Sequence, residues 1–209
     1  YRTSSRRLVV ETPKQKNFIL KGSIGSIAGL DDDRLMNRKE IEWIQAIDKY
    51  LKKRERKLNF EHFRIAHYNM SVYCPGFSQG LVFQEAPFSH YLLPAFSILD
   101  ENIGSKIAHS NGYEKPHEFW EIHYVKPLAK ALCELFVKTG ASYHSPHMQN
   151  FVIELDQNLS PTGKIILRDI EDIKLHQSFL TSIAEEKLLS HFEHYVDGET
   201  FYDSPDFFT

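Results

Sequence analysis

The stretch His147-Met148-Gln149-Asn150-Phe151-Val152-Ile153-Glu154-Leu155-Asp156-Gln157-Asn158-Leu159-Ser160-Pro161-Thr162-Gly163-Lys164-Ile165-Ile166-Leu167-Arg168-Asp169 decides how this chain folds. Phe151 to Leu155 and Lys164 to Leu167 are rich in β-branched or aromatic residues, and the residues between them carry the Asp, Asn, Ser, Pro and Gly of a turn. Two such runs joined in this way predict a β-hairpin. Antiparallel pairing would bring the start of the first strand beside the end of the second. His147 and Asn150 would then meet Arg168 and Asp169, setting an imidazole and an amide against a guanidinium and a carboxylate. Such a set suits the grip of a triphosphate and its metal. In the competing reading, His147 and Asn150 cap an ordinary strand and Arg168-Asp169 merely ends its partner, since short motifs have many false positives.

With 209 residues, 42% hydrophobic and 25% charged, the chain can bury a sizeable core in one or two subdomains. A net charge of -3 argues against a general nucleic-acid binder. No apolar run approaches the roughly 20 residues that span a bilayer, so no membrane partner is expected. Nothing at the start resembles a signal peptide, yet the chain opens at Tyr1 inside what reads as a strand, and a longer parent protein is expected. Cys74 and Cys133 are far apart, and Cys133 is placed on the apolar face of a helix as a buried thiol. A reduced, cytoplasmic setting follows. The 11 histidines are scattered, without the spacing of a zinc site.

Outward from the hairpin, Tyr1 to Val10 and Phe18 to Lys21 read as two strands joined by a turn. Gly22 to Gly29 is glycine-punctuated, but its spacing fits neither the P-loop nor the dinucleotide fingerprint, and small-residue packing is favoured over phosphate binding. Ile41, Ile44, Ile47 and Leu51 recur at helical spacing and predict a helix from Asn37 to Lys53. The cations from Lys52 to Lys57 suit its C-terminal end. His67 to Tyr73, Gly80 to Gln84 and Tyr91 to Leu99 read as short strands or helical turns, and Asp100 to Pro116 as a connecting loop at a subdomain boundary. A long helix is predicted from His117 to Thr139. Ile122, Val125, Leu128, Ala129, Leu132, Leu135 and Phe136 form its apolar face, Gly140 its stop, and Pro127 a kink or the start of a second helix. Ser178 to Tyr195 reads as helix again, followed by an aromatic tail.

The order of these pieces resembles the aerobactin-synthetase-like family of siderophore synthetases that work independently of non-ribosomal peptide synthetases. In that family a helix ends in glycine, a strand opens with His-Gly-Gln-Asn, and an Arg-Asp pair ends the next strand. Here Gly140, His147-Met148-Gln149-Asn150 and Leu167-Arg168-Asp169 stand in those places, after a helix bearing Trp120 and Tyr124. Ser4-Ser5-Arg6-Arg7-Leu8 is similar to the family's Ser-x-Arg-Thr-Leu strand. Met148 replaces the family's glycine, and Arg7 its threonine.

The resemblance implies an α+β fold of fingers and palm, with antiparallel sheet and packed helices, in which residues 1–110 form a fingers-like and 111–209 a palm-like subdomain and the thumb is absent. It implies an ATP- and magnesium-dependent synthetase of siderophore biosynthesis. Such an enzyme adenylates a citrate-like carboxylic acid and passes the acyl group to an amine or alcohol. Ser4, Arg6, His147 and Asn150 would bind the nucleotide, Asn150 and Asp169 the metal, and His147 with Arg168 would be the catalytic contacts. A homodimer is compatible with the resemblance. Two other functions are weighed: a kinase-like phosphotransferase with a metal-binding Asn and Asp, and a catalytically silent interaction domain of the same fold.

Overall fold

The structure, a computed structural model, describes residues 7–10, 18–22, 36–75, 79–85, 91–143, 146–185, 188 and 201–202. The strands are β1 (Arg7–Val10), β2 (Phe18–Gly22), β3 (Phe63–Ile65), β4 (Tyr68–Cys74), β5 (Gln79–Glu85), β6 (Tyr91–Pro94), β7 (Ala141–Tyr143), β8 (Phe151–Leu155), β9 (Pro161–Leu167), β10 (Ile173–His176) and β11 (Phe201–Tyr202). The helices are α1 (Arg38–Leu58), α2 (Lys106–Ser110), α3 (Pro116–Trp120), α4 (Lys126–Thr139) and α5 (Gln177–Ser182). Two compact units result, 1–52 with 66–87 and 53–65 with 88–209.

The first unit holds an antiparallel sheet in the order β1-β2-β5-β4, and the expected pairing of the first two strands is present. Asn37 opens α1 with a reciprocal cap: its Oδ1 accepts from the Glu40 N–H at 3.0 Å, and Glu40 Oε2 accepts from the Asn37 N–H at 2.7 Å. Ile41, Ile44, Ile47 and Leu51 are buried as their spacing requires. Contact between helix and sheet is close at Gly80, where a Cβ would lie 2.0 Å from Ile41 Cδ1. Only glycine lets the β5 backbone come so near α1.

The second unit is built on a four-stranded sheet in the order β3-β9-β8-β6. The hairpin of β8 and β9 is present, with Phe151 opposite Leu167, Val152 opposite Ile166 and Ile153 opposite Ile165. Both faces of β8 are covered, so all five of its residues are buried. The expected α+β plan with antiparallel sheets therefore holds, with two parallel pairings added, β3 on β9 and β10 on β11. Among the described residues no helix is long and apolar enough to cross a membrane.

Two expectations need correcting here. Residues between Asp100 and Pro116 are largely helical: a π-turn spans Glu101–Ser105 and leads into α2. Asp100 starts it by accepting from the Asn102 and Ile103 N–H groups at 2.8 and 3.2 Å, a cap that resembles a loop residue in sequence.

The long helix keeps only part of its expected face. Between α3 and α4 lies a π-turn, Glu121–Val125, directly ahead of Pro127. A proline lacks the N–H of the regular ladder and crowds the carbonyl four residues back, and the wider turn relieves both. Its extra residue rotates the periodicity. Ile122 and Val125 are consequently exposed and Tyr124 is buried, while past the turn Leu135 is buried as expected, together with Ala131 and Thr139. Cys133, expected as a buried thiol, is exposed. Of the last expected helix, Gln177–Ser182 is observed as α5 and much of the remainder lies outside the described residues.

Candidate functional site

Helix α4 ends at Gly140, whose φ of 63° is left-handed backbone. The two N–H groups of Arg54 at Nε and Nη2 donate to the Lys138 carbonyl at 3.0 and 2.6 Å, satisfying an acceptor that a helix end leaves open. Glu134, on the same helix, accepts from the backbone N–H groups of Glu61 and His62 at 2.9 and 2.8 Å and from Lys138 Nζ at 2.6 Å. Burial pushes the Glu134 carboxyl up, but those hydrogen bonds outweigh it and hold it below its usual value of 4.5. This clasp fixes the approach to β3, and β3 pairs in parallel with β9.

Beyond β7, His147 is exposed and extended, and its carbonyl accepts from the Asn150 N–H at 3.0 Å, closing the 3-10 turn Met148–Asn150. Asn150 is buried, 1% exposed. Its carbonyl accepts from the Arg168 N–H at 3.0 Å, so the ladder continues one pair past the strand ends. The Arg168 carbonyl in turn accepts from Tyr143 Oη at 2.8 Å. Asp169 follows with φ 59° and ψ 49°, a left-handed conformation that Asp tolerates better than most residues, and it opens the 3-10 turn Ile170–Asp172. Strained backbone of this kind clusters at ligand-binding positions.

The hairpin thus brings Asn150, Arg168 and Asp169 to one end of the sheet, with His147 one tight turn away. Ser4 and Arg6, and the glycine-punctuated stretch from residue 23 onward, lie outside the described residues. Among the described residues no group of three or more His, Cys, Asp and Glu side chains is placed to hold a metal. The Asn150 amide and the Asp169 carboxylate are hard oxygen donors, and such a pair fits magnesium, which takes one or two carboxylates and completes its shell with water and phosphate.

Two polar clusters escaped the sequence reading. In the first unit, Asp48 is 4% exposed and is held by His67 Nδ1 at 2.7 Å, Lys52 Nζ at 2.7 Å and the Tyr68 N–H at 3.1 Å. Burial raises its pKa, but the hydrogen bonds and charges of His67 and Lys52 prevail and keep it below 3.8. The signal was available, because Asp48 falls between Ile44 and Leu51 on the apolar stripe of α1. In the second unit, Glu154 is 3% exposed within β8, where its Oε1 lies 3.0 Å from Arg64 Nη1 and its Oε2 accepts from Thr162 Oγ1 at 2.9 Å. A carboxylate inside Phe-Val-Ile-Glu-Leu was the corresponding sign.

No family model matches this sequence, and no curated protein does. Solved structures do. The ATP-bound aerobactin synthetase IucA from a hypervirulent pathotype of Klebsiella pneumoniae aligns over 96% of this chain and 38% of its own, with a TM-score of 0.64 at 14% identity. A second structure of IucA from that source aligns over 95% of this chain and 38% of its own, with a TM-score of 0.57 at 11% identity. Aerobactin synthetase IucC, again from Klebsiella pneumoniae, aligns over 82% and 32%, with a TM-score of 0.52 at 16% identity. The chain spans less than two fifths of those synthetases, and over that span it shares their fold.

Proposed function

We propose that this chain carries the nucleotide-binding part of an ATP-dependent synthetase. It would activate a citrate-like carboxylic acid for condensation with an amine or alcohol, as in siderophore biosynthesis in the cytoplasm. The observation that carries the reading is the Arg168 N–H donating to the Asn150 carbonyl at 3.0 Å. On a fold similar to that of aerobactin synthetases, this bond sets an amide, a guanidinium and a carboxylate at one sheet end. Residues 1–110 would act as fingers and 111–209 as palm.

In adenylation a carboxylate oxygen attacks the α-phosphorus of ATP, and the bond from that phosphorus to the pyrophosphate oxygen breaks. Negative charge builds on the phosphoryl oxygens, and positioned cations lower the barrier. Arg168 would supply a fixed positive charge, His147 a hydrogen bond to phosphate, and Ser4 with Arg6 further nucleotide contacts. Asn150 and Asp169 would hold magnesium, whose chemistry there is neutralisation of phosphate charge.

Acid-dependent exchange of labelled pyrophosphate into ATP tests the reading. Label appearing in ATP only when citrate or a related acid is present is the expected result. Release of ADP with a phosphorylated product would instead indicate the kinase-like reaction, and no MgATP binding by a folded sample would leave a silent domain of this fold.

A further inference from the structure

Residues that face each other in a hydrogen-bonded antiparallel pair exchange two bonds, one in each direction. At the end of the β8–β9 ladder the Arg168 N–H donates to the Asn150 carbonyl at 3.0 Å. The Asn150 N–H turns elsewhere: it donates to the His147 carbonyl at 3.0 Å and closes the 3-10 turn Met148–Asn150. The Arg168 carbonyl, which the return bond would have reached, accepts from Tyr143 Oη at 2.8 Å. A phenol thus stands where a backbone donor would complete the pair. It releases the Asn150 N–H for the turn that brings His147 close.

Tyr143 is itself held on two sides. It ends β7, where its backbone pairs with Ile173 at the start of β10. Its ring meets Phe151, the residue after Asn150, edge-on, with centroids 5.4 Å apart and planes at 72°. At 7% exposure it has almost no surface for a ligand to touch. One residue therefore grips both ends of the link from Arg168 to Ile173, through its hydroxyl at one and its backbone at the other. Asp169 lies in that link. The Arg168 carbonyl shares a rigid peptide plane with the Asp169 N–H, so a bond to that carbonyl constrains the φ of 59° from which the Asp169 carboxylate projects. Left-handed backbone at a residue with a Cβ persists only where its surroundings hold it.

We propose that Tyr143 is a positioning residue of the candidate site. Its hydroxyl holds the Arg168–Asp169 peptide and keeps the His147 turn closed, so that affinity for magnesium and phosphate depends on a side chain that touches neither. The functional half of this assignment rests on the proposed nucleotide site. Without the hydroxyl, the Arg168 carbonyl takes the Asn150 N–H, the ladder grows by one bond and the turn Met148–Asn150 opens. His147 and Asp169 then shift together.

Tyr143→Phe tests this, because it deletes the donor and keeps the ring. NMR scalar couplings across hydrogen bonds identify the acceptor of the Asn150 N–H, and calorimetry follows MgATP. Wild type should couple that N–H to the His147 carbonyl. In Tyr143→Phe the coupling should pass to the Arg168 carbonyl, and MgATP affinity should fall about tenfold, as when a group behind a metal ligand is lost. Ile165→Val, a core truncation in the same hairpin, should lower the urea midpoint while leaving both the coupling and the affinity as in wild type. Wild type already coupled to Arg168, an unmoved coupling or full MgATP affinity in Tyr143→Phe, or an equal loss of affinity in Ile165→Val would each overturn the proposal. If wild type binds no MgATP, the nucleotide reading fails and the affinity half of the assignment with it, while the coupling still decides what holds the Arg168–Asp169 peptide.

Discussion

The Asn150 carbonyl and the Arg168 N–H, 3.0 Å apart, form the last rung of the β8–β9 ladder, and Asp169 is the first residue beyond it. The left-handed φ of 59° at Asp169 dictates how its role must be probed. Asparagine accepts that backbone nearly as well as aspartate, whereas alanine does not. Asp169→Asn should keep that backbone conformation and abolish magnesium-dependent ATP binding measured by calorimetry. Asp169→Ala should lose the same binding and about 1 kcal/mol of stability besides. Full MgATP affinity in Asp169→Asn would remove this residue from the site.

Arg64→Met alone should be costly, because it strands the Glu154 carboxylate inside the sheet. A loss of about 3 kcal/mol is expected, largely recovered when Glu154→Leu is added. A double-mutant cycle by urea unfolding checks this. Additive losses would mean that the pair is not coupled.

Gly140→Ala meets two obstacles at once. The backbone φ of 63° disfavours any Cβ, and that Cβ would lie 2.4 Å from Phe179 Cδ1. We expect a loss of more than about 1 kcal/mol from the backbone alone. Phe179→Ala in the same background should recover the steric part and not the conformational part, which equilibrium unfolding resolves.

Asp48 and Glu134 both have pKa values held below the ordinary ones of 3.8 and 4.5. A carboxylate whose folded pKa is depressed adds stability above its unfolded pKa and loses it as pH falls through the folded value. Urea midpoints should therefore be flat near neutrality and drop below about pH 4.5. Asp48→Asn and Glu134→Gln should each lower the neutral midpoint and flatten that acid drop. An acid limb unchanged in both variants would show that other groups cause it.

The hairpin and α1 were legible because their signals are local. Phe151 to Leu155 and Lys164 to Leu167 carry strand residues around a turn, and Ile41 to Leu51 repeat at helical spacing before the cap at Asn37. The face of the long helix was legible only in part: Leu135 is buried as expected, whereas the wide turn ahead of Pro127 leaves Ile122 and Val125 exposed, and Cys133 is exposed as well. The pairing of Phe63 with Ile165 leaves no trace in either segment, since parallel partners are chosen by tertiary packing. Of the candidate site, the convergence of Asn150 with Arg168 could be read from the turn between them. The left-handed Asp169 and the Tyr143 hydroxyl on the Arg168 carbonyl could not.

The edge pairing of β3 with β9 has a kinetic side. The β8–β9 hairpin closes over a short turn, whereas β3 must bring residues near 63 to residues near 165, across a stretch, 66–87, that belongs to the other unit. Such distant contacts raise contact order and slow folding. Because the chain enters the second unit, leaves it and returns, no single cut yields either unit intact. A fragment starting at residue 88 would expose the unpaired edge of β9, an open template for association with other chains.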